Sequence, residues 1–591
     1  MNSNGVQPDA YSRLLALADS WGAVVADERE SLVEGGATLG EKDVCKAIGI
    51  DVLGELPNGR VLVYSLHHKK CDELRDVDRL KYPRLLRLCG PAAKEKVHGG
   101  HGDVPGMHRM GEVREAIEML AGYHQLSPQD LIGDGCWRGV DENGKESDDV
   151  VIVSGNQAMR WNCSGELHLI PGARHGGLVM DLGARKGPID VEAAKLLLEK
   201  FDPEFGQRAI KDATELFGRW RWRDQETNPQ VVTGALMATL VQTCWRWRPH
   251  VAITGKTNSG KSFLFEALRL LLGPMAVKFG QYSAAGVRQN VGRSAKAIFL
   301  DEFERSQHRA SVLEMMRASS RGDELIWGSA NQSGKRYTFR HIFWVAAIEA
   351  GITRAPDRNR FIELELLAAE DGEFGKLRLP SYDEARDLGR RLLVTAIHSA
   401  IEASDLAVKL KELRVEDVDP RIVESYAVVA SILSVGSGGQ IDAENALRTI
   451  LANVERGCRI SDEDDLLESV LSAPIRMSGG REKTVAEIVR EDSDWDAYQA
   501  MERCGVAIVN SSPGPRQHSG GDKSLFFDAE VILQRILTRT GWADKDIRKI
   551  LMRVDGASAG RRRISGRLAR GVLIPMELIR SEFLGEGTLE H

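Results

Sequence analysis

The sequence predicts an α/β protein built round a phosphate-loop core. An α+β region precedes the core, a helical region follows it, and a winged-helix-like region ends the chain. Three observations carry this. The stretch HVAITGKTNSGKSFLFEAL, His250 to Leu268, sets a glycine-containing loop between an apolar strand and a helix. The stretch AIFLDE, Ala297 to Glu302, is a second apolar strand that ends in two acids. From about Asp462, long helical patterns give way to short helices followed by two short strands.

With 591 residues the chain is too long for one hydrophobic core, and roughly 150 residues per domain implies three to five domains. The boundaries expected are 1–190 for the α+β region, 191–370 for the core, 371–460 for the helical region and 461–591 for the last. Hydrophobic residues make up 42% and charged residues 28%, as in a globular protein. A net charge of −7 gives no global attraction to nucleic acid, so such binding needs a local basic patch. None of the eight cysteines lies in a C-x-x-C pair, and they read as reduced, mostly buried thiols. His67, His68, His98 and His101 lack partner ligands at zinc spacing and read as loop histidines. The first residues lack a basic segment followed by an apolar run, and no stretch nears the ~20 apolar residues that span a bilayer. The expectation is a cytoplasmic protein with no membrane partner.

In the first region a helix is expected at Tyr11–Trp21, a strand at Gly59–Leu66 after the turn-forming PNG, and a helix closed by Cys89-Gly90-Pro91. Lys96–His108 reads as a glycine-rich linker before the helix MGEVREAIEMLAGYH. DDVVIVSGNQAMRWNCSGELHLIPG reads as two or three short strands joined at SGN and CSGE. No catalytic constellation appears in this region. Helices DVEAAKLLLEKFDPEF and NPQVVTGALMATLVQTCW lead to the core, and Trp220, Trp222, Trp245 and Trp247 beside them read as packing residues rather than base-stacking ones.

Gly255, Lys256, Thr257, Asn258, Ser259, Gly260, Lys261 and Ser262 satisfy G-x-x-x-x-G-K-[ST] at every fixed position, in the required strand–loop–helix setting. Glycines let backbone N–H groups turn inward round phosphate oxygens, and the helix N-terminus adds its positive end. Lys261 is expected to reach the β- and γ-phosphates of ATP, and Ser262 to ligate Mg²⁺. Asp301 is expected to hold the metal through water and Glu302 to polarise the attacking water. The adjacent acids favour hydrolysis over phosphoryl transfer to a small molecule, for which no acceptor site is seen.

Beyond the acids, ELIWG and RYTFRHIFWVAAI read as strands separated by SANQSGK, a β-hairpin carrying Lys335 and Arg336. These cations suit either a solvated hairpin or contact with phosphates. Arg354, Arg358 and Arg360 precede the strand FIELEL. Arg360, or next to it Arg358, could stabilise transition-state charge at a neighbouring subunit's nucleotide; salt bridges to Asp357 and Glu363 are the plainer alternative.

Phosphate loop, IFLDEFE, GSANQSGKRYTF and DRNRFIELEL together resemble the AAA+ ATPase core of phage and mobile-element primase–helicase proteins, related to helicase superfamily 3. QYSAAGVRQNVG (Gln281–Gly292) and DLIGDGCWRGV extend the likeness over about residues 60–370. The resemblance implies an AAA+ core with a helical lid, an oligomeric ring, a hexamer, that hydrolyses ATP to move on single-stranded or forked DNA. It also implies that the hairpin touches DNA phosphates in the ring channel. Two departures stand out. Ala347-Ile348-Glu349 replaces the polar strand end, often Asn, of related cores, so Glu349 would take that role. No acidic cluster of a primase site appears in the first region.

The last region orders helices before the strands VAIVN and SLFFD, as in a winged helix. Its tail carries Arg561, Arg562, Arg563, Arg567 and Arg570, which suits a solvated loop or, better on an acidic protein, a phosphate-rich partner such as DNA. Two functions follow: an ATP-dependent DNA helicase or translocase, or an AAA+ nucleotide-gated switch or loader that binds DNA without unwinding it.

Overall fold

In a computed structural model of the chain, residues 48–578 are described apart from 91–106, 128, 163, 184–186, 307, 329–333, 349–351, 353–354, 369–376, 416–417, 455–461, 478–481, 491–494, 511–522, 539–541 and 543–544. The expected helix Tyr11–Trp21, His98, His101, Arg354, Glu349 and the SANQS turn lie outside the described residues. The chain forms two units: residues 1–351 with 359–455, and residues 352–358 with 456–591.

The core of the first unit is a five-stranded parallel sheet in the order Ala276–Phe279, Ala297–Leu300, Phe343–Ala346, His250–Thr254, Phe361–Glu365. Three of these strands, His250–Thr254, Ala297–Leu300 and Phe343–Ala346, are short apolar runs without alternation, because helices cover both faces of a parallel sheet. Phe343–Ala346 lies between the phosphate-loop strand and the acidic strand. The return strand expected as RYTFRHIFWVAAI is in fact two strands. Gly334–Thr338 pairs antiparallel with Glu324–Gly328, and Phe343–Ala346 enters the parallel sheet. The break at Phe339–Ile342 is held by buried polar bonds. Ser319 Oγ accepts from the His341 N–H (2.8 Å), and Gln242 Oε1 accepts from the Ile342 N–H (2.6 Å). These replace the ladder that a continuous strand would have kept.

The helices Val191–Leu198, Pro203–Phe217, Asn228–Leu240, Tyr382–Leu410, Pro420–Gly436 and Ala443–Asn453 share one hydrophobic core with this sheet. The expected helix DVEAAKLLLEKFDPEF splits at Asp202, whose side chain caps the second helix ahead of Pro203. The long helix Tyr382–Leu410 opens with a capping box between Ser381 and Glu384. Trp220, Trp222, Trp245 and Trp247 are all buried, as read from the sequence. Burying each large aromatic side chain contributes roughly 1.5–3 kcal/mol. Trp344 at the centre of the sheet also donates its Nε1–H to Thr239 Oγ1 (3.0 Å).

Before the core, Ile50–Glu55, Val61–Ser65 and Lys70–Leu74 form one antiparallel sheet. Gly135–Val140, Glu146–Ser154, Gln157–Asn162 and Leu167–Leu169 form another. The helix closed at Cys89 ends on Gly90 at φ +66. Arg293, beyond the helix Ala284–Val291, bridges this region to the core by pairing with Asp181 (2.8 Å) and Glu73 (3.2 Å). Cys71, Cys89, Cys136 and Cys244 are free thiols here.

The second unit has its own core. The helices Asp462–Leu471, Val485–Arg490 and Trp495–Arg503 precede a four-stranded antiparallel sheet ordered Val506–Asn510, Lys523–Phe527, Arg567–Pro575, Ser558–Ile564. The arginine-rich tail is therefore not a loop but two paired strands of that sheet. No described helix is long and apolar enough to cross a membrane.

Candidate functional site

The phosphate loop leaves the carboxyl end of His250–Thr254, as the motif requires. Gly255 sits at φ +144, where a Cβ would lie 2.3 Å from the Leu366 carbonyl oxygen and 2.8 Å from Ser259 Oγ. Only glycine fits there. Asn258 (φ +65) and Gly260 (φ +89) complete the reversal, and Lys261 is the first residue of the following helix. Lys256, Thr257, Asn258 and Ser262 are exposed, and Ser259 is buried. Trp220 supports the loop from below: its Nε1–H donates to the Gly260 carbonyl (3.2 Å), and its ring packs near Phe263. The sequence marked Trp220 as packing and missed what it packs against.

Lys261 is folded back on the loop. Its ammonium donates to the carbonyls of Gly255 (2.5 Å) and Lys256 (2.9 Å) and to Ser259 Oγ (3.3 Å). Burial lowers its pKa, while the charges of Glu304 and Asp301 pull it up. The lysine thus lies within the field of two carboxylates of the acidic strand end.

Those acids differ. Asp301 follows the strand Ala297–Leu300 directly, and Lys278 holds its Oδ2 at 2.8 Å from the neighbouring strand. Glu302 takes the left-handed conformation (φ +50), donates its N–H to Asp301 Oδ1 (3.1 Å) and is exposed. That turn brings Glu304 inward. Its Oε2 is buried without a hydrogen-bond partner among the described residues, and its charge acts on both Lys261 and the Tyr282 phenol. Burial, above all, pushes the Tyr282 pKa up to about 12, and Glu304 and Asp301 add to it. Glu304, Lys278 and Tyr282 were not picked out from the sequence. The second glutamate of DEFE was the signal that could have named Glu304.

Strand and loop are fixed by a buried histidine. His250 Nδ1 accepts from the Phe343 N–H (3.2 Å), which leaves Nε2 to donate to the Met316 carbonyl (2.8 Å). Burial pushes its pKa down to about 3, so it is neutral.

The remaining predicted residues are dispersed. Lys335 and Arg336 lie on the return strand of the hairpin, opposite Trp327 and Ile326. Arg360 is buried, with its guanidinium 5.8 Å from the centre of the Trp247 ring. It would have to leave that contact to reach a neighbouring molecule. Arg358 ends the short helix Ala355–Arg358, which groups with the second unit. Arg561, Arg562 and Arg563 lie on the strand Ser558–Ile564.

No protein-family model matches the chain, and no curated protein matches it in sequence. Among solved structures it is similar to one described as "SCCmec type IV Cch - active helicase", at 12% identity and a TM-score of 0.44, over 90% of this chain and 94% of that one. It is also similar to two apo structures of the NrS-1 C-terminal region (305–718). Both are 10% identical to it, with TM-scores of 0.33 and 0.34, over 90% of this chain and 98% of theirs. Likeness of this degree leaves the reading of the site to its own geometry. That geometry is a phosphate loop and an acidic strand end meeting at the carboxyl edge of a parallel α/β sheet.

Proposed function

We propose that this protein is an ATP-dependent DNA helicase or translocase of the phage or mobile-element replication type, working as an oligomeric ring. The observation that carries the reading is that the phosphate loop, with Lys261 opening its helix, and the acidic strand end that begins at Asp301 both lie at the carboxyl edge of one parallel sheet. The chain also inserts a strand pair bearing Lys335 and Arg336 between the acidic strand and the next core strand.

The residues fit a magnesium nucleotide. Gly255 leaves room for backbone where a side chain would clash, and Lys261 has three loop acceptors that it can exchange for phosphate oxygens. Gly255–Ser262 would hold the triphosphate. Ser262 and Asp301 would hold Mg²⁺, which when bound draws charge from the phosphate oxygens. In hydrolysis a water oxygen bonds to the γ-phosphorus, the bond to the ADP oxygen breaks, and the water's proton passes to a carboxylate. Glu304 is better prepared than Glu302 to take it, because its buried Oε2 has no hydrogen-bond partner among the described residues. Lys335 and Arg336 would contact DNA phosphates, and Arg561–Arg563 would add a second contact. Arg358 is the more accessible of the two arginines for a neighbour's nucleotide, since Arg360 is buried.

A nucleotide-gated switch or loader is the second reading. The lysine folded onto its own loop favours it, because the lysine must give up its loop acceptors before it can reach a phosphate. ATPase rate with and without single-stranded DNA, beside unwinding of a forked duplex, separates the two. DNA-stimulated hydrolysis with strand separation supports the helicase. Stimulation without separation leaves the switch, and no hydrolysis in either condition removes both.

A further inference from the structure

The second unit contains a hollow of about 330 Å³ lined by four arginines from four separate elements. Arg476 comes from the strand Pro474–Arg476, Arg503 from the end of the helix Trp495–Arg503, Arg535 from the end of the helix Ala529–Arg535, and Arg567 from the start of the last strand. Arg567 is paired with Asp528. Among the described residues, Arg476, Arg503 and Arg535 have no carboxylate within ion-pair distance. Glu502 is the one acid of the lining, and its Oε2 already accepts the N–H of Ser565 (3.2 Å). The charges of Arg535 and Arg503 both reach the thiol of Cys504, which shares the lining.

Like charges converge here with little to offset them, on a protein whose net charge is −7. Guanidinium forks set round a hollow match the oxygens of a phosphate group. The hollow also adjoins the turn of the ribbon Ser558–Ile564/Arg567–Pro575, since Ile564 and Ser565 belong to its wall. On that ribbon Arg561 stands directly opposite Arg570, and both are exposed. Cations facing each other across strands are destabilising unless an anion lies between or over them.

We propose that this hollow is a phosphate-binding site that holds a backbone phosphate of nucleic acid, entered from the turn of the arginine ribbon. The assignment rests on the DNA reading above only for the source of the phosphate. It requires neither hydrolysis nor unwinding.

The test uses the full chain and a fluorescent single-stranded oligonucleotide, with affinity measured by anisotropy across a salt series. Replacing Arg503 and Arg535 together by alanine is expected to weaken binding about tenfold and to reduce the salt slope by ~0.7 for each phosphate no longer neutralised. The lysine pair at the same positions should keep most of the slope. Basal ATPase without DNA reports that the variant is folded. Maleimide labelling of Cys504, followed on its peptide, gives a local readout. The oligonucleotide should slow labelling in the parent chain, and inorganic pyrophosphate should not. Protection by pyrophosphate alone would reassign the hollow to a free phosphate compound and overturn the nucleic-acid assignment. Unchanged affinity and slope in the alanine variant, with no protection of Cys504, would overturn the site. Intact binding at the hollow in a protein that does not unwind would instead remove only the helicase reading.

Discussion

The two units handle positive charge in opposite ways. In the first, Lys261 satisfies itself on three acceptors of its own loop, Arg293 bridges Asp181 and Glu73, and Lys278 takes Asp301. In the second, Arg476, Arg503 and Arg535 surround a hollow without carboxylate partners among the described residues, and Arg561 faces Arg570. A cation that already has partners must exchange them, so its ligand works by rearranging the site. A cation without partners is ready for an anion at once. On the proposed readings, the phosphate loop binds by exchange of partners and the last unit by standing electrostatic attraction.

The strongest attempt to break this contrast is Lys261→Ala. Hydrolysis is expected to fall at least ~1000-fold, while oligonucleotide binding through the second unit persists. Loss of both in a folded variant would show that the units do not divide the work in this way. Glu304→Gln comes next. If Glu304 takes the proton, turnover falls roughly 100-fold or more with nucleotide binding retained, and Glu302→Gln has the smaller effect. The reverse order, read from single-turnover rates, would return the role to Glu302.

That prediction also shows where the sequence stops being legible. The strand Ala297–Leu300 and the loop Gly255–Ser262 were readable to the residue, and the helix after the loop to within one, because an apolar run and a fixed motif determine them. Glu304 was not, because its inward position depends on the left-handed backbone of Glu302, two residues earlier. The hairpin return and the core strand looked continuous, because Phe339, His341 and Ile342 are buried and carry no turn residue. Only the partners of their N–H groups, Gln242 and Ser319, reveal the break. The arginine ribbon does not show as a strand pair in the sequence, where a solvated loop is one alternative, because its alternating pattern is written in charges rather than in apolar residues. Its buried side is Ile564, Ala569 and Val572.

A smaller effect is expected from pH. Burial lowers the folded-state pKa of His250 from 6.5 to about 3 and that of His341 from 6.5 to about 4. The unfolded chain therefore binds more protons, and their contribution to stability is full above pH 6.5 and falls as pH drops below it. At pH 5 the loss is about 2 kcal/mol per histidine. Thermal melts of the parent chain between pH 7 and pH 5 should show it, and His250→Gln should have the shallower dependence. An equal slope in the two would mean that His250 is not held neutral.

The smallest effect tests whether the first unit also attracts phosphate directly. Lys335→Ala should leave basal ATPase unchanged and weaken its stimulation by DNA a few-fold, as expected when one cation no longer meets a phosphate. Unaltered stimulation would remove Lys335 from the DNA path and leave the second unit as the principal nucleic-acid contact.

The Arg561–Arg570 pair has a thermodynamic consequence for the ribbon itself. Part of the folding free energy of the second unit is spent against its own charge, so its stability is linked to whatever polyanion neutralises it. Added salt should firm the ribbon in the free protein and yet weaken its hold on DNA. The two responses have opposite signs and a common origin. Amide exchange along 558–575 would therefore report occupancy by nucleic acid as a gain in protection, largest where ionic strength is lowest.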